Sequence, residues 1–214
     1  MNIFGFDQLL KDAGGGDQAH PTGWSWVDIE CPCLTEWLRA FTYAIPDDII
    51  HPQGREDEMH ITVLYGLTGE DVQPVAEQLH GTEYAHATLG PIRVFSNPKY
   101  DVVHVSVNSN CLRKMHWKIR NNVPCDVTFP DYNPHITLAY LEPGMGKRYD
   151  GAKIFDGEEI VFKRVGVQMG DDPCTCKRPP KKYIKLDAGH GDVEEPDLDL
   201  IGFRDRFREM IRGS

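Results

Sequence analysis

The sequence predicts an α+β fold, two antiparallel sheets with helices on their outer faces. Three observations predict it. A strand-like stretch with His and Thr on one face occurs twice, at 59–66 and 131–141; each copy follows an amphipathic helical segment; and a hairpin pattern separates the copies. At 214 residues, 40% hydrophobic and 26% charged, the chain suits one core-bearing domain or two small lobes sharing a core.

Residues 1–23 read as an N-terminal extension, with a short amphipathic piece over 6–13 that stops at Gly14-Gly15-Gly16. Alternation predicts a strand over 23–30, with Val27 and Ile29 opposite Trp26 and Asp28. Leu34, Trp37, Leu38, Phe41 and Ile45 then fall at helical spacing, ended by Pro46. The charged, turn-rich stretch 51–58 is expected to be a loop. A helix follows over 68–81, with Val72, Val75, Ala76 and Leu79 on one face. Residues 84–95 and 101–107 form the hairpin, interrupted at Gly90-Pro91 and turned at 96–99. Ser109 caps a helix whose apolar face holds Leu112, Met115, Trp117 and Ile119. After the second His/Thr stretch, 158–169 reads as one strand and 183–186 as a last short one. The domain is thus expected to span 24–187. Residues 188–214 form an acidic tail with a short helix over 201–211, suited to docking a partner.

Charge limits the function. With 33 acidic and 23 basic side chains, net charge −10, the chain lacks the basic stripe that tracks a long nucleic acid; its densest basic run is only 177–182. A phosphate substrate is therefore expected to be small and enclosed. The N-terminus shows no secretory pattern and no stretch is apolar enough to span a membrane, so a cytoplasmic location is expected. The six cysteines are then read as thiols. Two Cys-x-Cys pairs, Cys31/Cys33 and Cys174/Cys176, have tighter spacing than most structural zinc sites use.

The repeated stretch carries the chemistry. His60 and Thr62 share one strand face, as do His135 and Thr137, with Ile61 and Ile136 facing the other way. A third copy, His86-Ala87-Thr88, runs into Gly90-Pro91 instead of an apolar run and is read as structural. Tyr65 and Tyr140, alternating onto the isoleucine faces, are read as packing residues. Two imidazoles across a cleft can divide acid and base work at neutral pH: one accepts a proton from water or a ribose hydroxyl, and the other protonates the leaving oxygen. The two threonine hydroxyls can donate to the non-bridging phosphate oxygens. Nothing in that scheme requires a metal or other cofactor. Histidine-triad hydrolases place three alternating histidines on one strand, and these stretches do not.

The paired motifs, Met59-His-Ile-Thr-Val-Leu-Tyr-Gly-Leu67 and Tyr132-Asn-Pro-His-Ile-Thr-Leu-Ala-Tyr140, resemble the signatures of the 2H phosphoesterase superfamily, which includes the RNA ligase-like 2′,3′-cyclic phosphodiesterases. Within it, the acidic lead-in to the first motif and the 95–107 hairpin resemble phage-encoded anti-CBASS enzymes that cleave cyclic oligonucleotide signals. The resemblance implies a two-lobed fold with a central groove and a metal-independent site of His60, Thr62, His135 and Thr137. It further implies hydrolysis of cyclic nucleotide or cyclic oligonucleotide linkages, in host cytoplasm if phage-encoded. A 2′,3′-cyclic phosphodiesterase and a catalytically idle binding or virion-associated module are the alternatives. Family members recruit aromatic and basic side chains around the groove; the candidates here are Trp26, Tyr43, Arg55, Lys99 and Tyr132.

Overall fold

The computed structural model describes residues 23–69, 71–126, 131–169, 181–188, 205–206 and 209. Among the described residues, the named elements are nine strands and three α-helices, in the order β1 (Gly23–Asp28), α1 (Pro32–Ala44), β2 (Ile50–Arg55), β3 (His60–Leu67), α2 (Gln73–Leu79), β4 (Ala85–Ser96), β5 (Asp101–Asn108), α3 (Asn110–Asn122), β6 (His135–Leu141), β7 (Glu159–Phe162), β8 (Arg164–Gln168) and β9 (Lys182–Lys185). This is the α+β class read from the sequence.

The two expected lobes join through β3 and β6. Their antiparallel contact has one register pair, Ile61 with Ile136, and it links both halves into a single sheet path, β7-β4-β5-β6-β3-β1-β8-β9, with β2 paired to β6. The stretch 158–169 is two strands, because Lys163 alone separates β7, paired with β4, from β8, paired with β1. One residue carries the chain between the opposite halves, so the sheet must curl to bring them together. Asp187 bonds Thr82 and Tyr84 through its backbone and fastens that closure. Residues 51–55, expected as loop, form an irregular edge strand. Pro52 and Gly54 weaken it as a strand former, and backbone pairing to β6 at Ile50 and Arg55 retains it.

One sheet face is covered by helices. Leu34, Leu38 and Phe41 of α1 and Leu112, Met115 and Ile119 of α3 pack on Ile61, Val63, Val103, Val105, Ile136 and Leu138 in the main core. Helix α3 starts where the Ser109 hydroxyl accepts from the Leu112 amide at 3.1 Å, as its sequence predicts. Helix α1 ends before Pro46, and Arg55 donates to the Thr42 and Ile45 carbonyls at its C-terminus.

The opposite face is the groove. Both His/Thr strands carry a bulge directly after the threonine: the pairing shifts by one residue at Val63 against β1 and at Leu138 against β5. Such an extra residue reverses the alternation beyond it. Leu64 and Ala139 therefore join the core, while Tyr65 and Tyr140 turn onto the His/Thr face. This corrects the simple alternation, which placed both tyrosines with the isoleucines. Tyr140 packs with Tyr100 and Val102 in a small cluster separate from the main core.

Most of the acidic tail, the N-terminal piece over 6–13 and the pair Cys174/Cys176 lie outside the described residues. Of the expected helix over 201–211, residues 205, 206 and 209 are helical, and Arg206 binds back to the domain through the Ile154 carbonyl and the Glu158 carboxylate.

Candidate active site

His60 and His135 open β3 and β6 at the junction of the two halves. Each imidazole is tethered in the same way: Nδ1 lies 2.7 Å from the backbone carbonyl two residues earlier, Glu58 for His60 and Asn133 for His135. A carbonyl can only accept, so Nδ1 carries the proton and Nε2 is the acceptor of the neutral ring. Antiparallel pairing centred on Ile61 and Ile136 sets Thr62 across from His135 and Thr137 across from His60, all four on the groove face. Burial holds both imidazoles below the ordinary histidine range. At His60 the Glu58 carbonyl and the Asp28 and Glu58 carboxylates oppose that effect; at His135 the Asn133 carbonyl opposes it, while the neighbouring His60 adds to it.

Each histidine stands beside its own aromatic wall. On the first side, Trp24 meets His60 edge to face at 5.0 Å and stacks on Trp26 at 4.4 Å. Trp26 is 1% exposed, donates to Asp28 at 2.9 Å, and lies on Gly166, where a side chain would collide with the indole. Lys181 sits 5.5 Å over the Trp26 ring and pairs with Glu58 at 2.7 Å. On the second side, Phe95 stacks on His104 at 3.9 Å and reaches His135 at 5.1 Å; His104 and His135 are also 5.1 Å apart. Burial first, and His135 second, push His104 down to about 3, so this third imidazole stays neutral.

The structure divides the other sequence candidates. Trp26 lies on the groove face but beneath Trp24 and Lys181. Tyr132 donates through its hydroxyl to the Thr62 carbonyl at 3.0 Å and stacks on His116 at 4.2 Å, while His116 Nδ1 binds the Val63 carbonyl at 2.7 Å. These two residues hold the bulge of the first motif. Arg55 pairs in register with Ala139, on the helix side, where it meets Asp47 at 2.7 Å and the Tyr43 ring at 5.6 Å; neither Arg55 nor Tyr43 is brought to the histidines. Lys99 lies in the β4–β5 turn, its amide bound to the Asn97 side chain. His86 is exposed on β4, paired with Val161 of β7. Trp24, Phe95 and His104 escaped the sequence reading. The parity of β1 and β5 was the available signal: Trp24 shares a face with Trp26, and His104 pairs with Thr137. Among the described residues no cluster of three or more His, Cys, Asp or Glu is placed to hold a metal ion.

A family model described as "Anti-CBASS protein Acb1" matches residues 49–165, more than half of the chain and both motifs. The chain belongs to the Acb1 anti-CBASS family. No curated protein sequence matches it. Among solved structures, that of Usb1 from Kluyveromyces marxianus has a TM-score of 0.50 at 8% identity, covering 78% of this chain and 99% of that one. A structure titled a phosphoesterase follows at 0.49 and 14% identity, covering 78% and 96%. E. coli LigT complexed with 3′-AMP stands at 0.45 and 15%, covering 78% and 96%. The Usb1 likeness places this Acb1-family chain in the 2H phosphoesterase fold. Family and fold together support phosphodiesterase activity.

Proposed function

We propose that this Acb1-family protein is a metal-independent phosphodiesterase that opens linkages in cyclic oligonucleotides, with His60 and His135 as acid and base. The observation that carries the reading is the matched tether of the two imidazoles, which leaves Nε2 as the working atom of each ring on one groove face. His135, which faces other imidazoles, accepts the proton of the attacking water or ribose hydroxyl. His60, where burial and Lys181 disfavour the imidazolium but the Glu58 carbonyl and the Asp28 and Glu58 carboxylates offset part of that cost, protonates the departing oxygen. Thr62 and Thr137 donate to the non-bridging oxygens. A bound phosphodiester anion raises the proton affinity of both rings and offsets their burial. Trp24 and Phe95, one beside each histidine, offer faces for bases on either side of the phosphate. The net charge of −10 accords with a small ligand bound by local contacts, not a long one drawn in by field.

The test is incubation with a panel of cyclic di- and trinucleotides and 2′,3′-cyclic mononucleotides, followed by product analysis. Cleavage of the cyclic oligonucleotides supports the reading, and cleavage confined to the mononucleotides overturns its substrate in favour of the alternative phosphodiesterase. No cleavage at all favours the idle binding module. The acid and base roles are separated by bis(p-nitrophenyl) phosphate, whose leaving group needs no proton. His60→Ala should retain a larger share of activity on it than on a nucleotide substrate, whereas His135→Ala should lose activity on both.

A further inference from the structure

Tyr65 and Tyr140 follow the two His/Thr pairs at equal spacing, and the bulges at Val63 and Leu138 turn both onto the groove face. Their surroundings differ. Tyr140 is 2% exposed, packed edge to face on Tyr100 at 5.7 Å and on Val102. Tyr65 is half-buried, and its register partner is Trp24, the ring that meets His60. The groove is therefore closed by packing beyond Thr137 and stays accessible beyond Thr62. Trp24 in turn donates from its indole to the Gln168 side chain at 3.3 Å, so Tyr65, Trp24 and Gln168 form one row across β3, β1 and β8.

We infer that Tyr65 is a specificity-determining residue, whose phenol contacts the nucleoside joined to the scissile phosphate on the Thr62 side. The inference rests on the phosphodiesterase reading for the location of that phosphate. Tyr65 stands three residues beyond Thr62, under about 10 Å along a strand. A nucleoside esterified at the phosphate spans that distance. A phenol suits it, because the ring gives an apolar face to a base or sugar and the hydroxyl both donates and accepts. The bulge is the device that delivers it: without the extra residue at Val63, Tyr65 would point into the core and Leu64 into the groove. Tyr132 and His116 hold that bulge through the Thr62 and Val63 carbonyls. The site is thus lengthened on one side only, which favours a substrate with a second nucleoside over a mononucleotide.

The experiment measures equilibrium binding of 3′,5′-linked cyclic di-AMP and of 2′,3′-cyclic AMP to a His60→Ala/His135→Ala parent, in which turnover cannot confuse the reading. Tyr65→Ala in that parent, with folding checked by thermal melt, should weaken cyclic di-AMP about tenfold, the loss expected for one aromatic contact with a nucleoside, and weaken 2′,3′-cyclic AMP much less. Tyr65→Phe should recover the part of the loss due to the ring, and Tyr140→Phe should leave the ratio of the two affinities where it was. An unchanged ratio in Tyr65→Ala, equal weakening of both ligands, or failure of the parent to bind cyclic di-AMP would overturn the assignment. Wild-type hydrolysis of the substrate panel reports separately on the phosphodiesterase reading, so the two failures are distinguishable.

Discussion

Removing one oxygen atom from Tyr132 should disturb the site from a distance. Its hydroxyl donates to the Thr62 carbonyl at 3.0 Å, while its ring lies flat on His116 at 4.2 Å with 6° between the planes. Tyr132→Phe keeps the stack and deletes the donor, leaving a carbonyl in the first motif without that partner. Losing such a bond while the acceptor stays in place costs about 1–2 kcal/mol. In a chain of this size each kcal/mol shifts the melting temperature by about 2–4 °C, so Tm should fall by about 2–8 °C. Tyr132→Ala removes the ring as well and should cost about 3–5 kcal/mol. Because Tyr132 stands three residues before His135 and grips the strand of His60, Tyr132→Phe should also lower kcat more than it raises KM. Thermal melts and steady-state kinetics on the best substrate of the panel give both numbers. A Phe variant that melts and turns over like wild type, or one as damaged as the Ala variant, would refute the bond's role in holding the two motifs together.

Further outcomes follow from the same contacts. Gly166→Ala forces a methyl into the Trp26 indole and should lower stability together with activity, read by melt and kinetics, since Trp26 supports Trp24 beside His60. His104 is held near 3 in the folded protein, so the unfolded chain binds its proton first. Stability should then fall as pH drops from about 6.5 towards 3, with a slope of about 1.4 kcal/mol per pH unit for this group. His104→Phe should flatten that part of the profile in urea denaturation. Glu56 behaves oppositely: burial, with Glu58 and Asp57 nearby, pushes its carboxyl up to about 7. Its contribution is present below about pH 4.5 and lost as pH rises through 7, so Glu56→Gln should stabilise the protein at pH 8 and change little at pH 4.

Much of this molecule could be read from its residues, because the signals were local. The Ser109 cap, the Pro46 stop and the spacing of Leu34, Leu38 and Phe41 each follow from neighbours in the chain. His60 and Thr62 share a face through strand geometry alone, and so do His135 and Thr137. What escaped depends on partners distant in sequence. A bulge is a mismatch between two strands, and nothing within 59–67 or 135–141 announces the extra residue at Val63 or Leu138; alternation alone therefore puts the tyrosines on the wrong face. Arg55 reads in the sequence as a candidate phosphate ligand, and its register with Ala139, a pairing between distant residues, sets it on the helix side. The edge strand of residues 50–55 contains Pro52 and Gly54, and it is held by bonds to β6 that no local propensity encodes. Trp24 had the same parity as Trp26, but only the packing of Trp26 under Trp24 decides which ring borders His60.

The central claim is that His60 and His135 act on one phosphodiester, and it is tested most directly by kcat/KM against pH for wild type and for His60→Ala, His135→Ala and the double variant, each verified as folded by thermal melt. The account predicts a bell-shaped wild-type profile, with each single variant slower by about 10²–10⁴-fold and missing one limb. The double variant should be little worse than the poorer single variant, since the two rings work as a unit. Turnover at the wild-type rate in either folded single variant would contradict it.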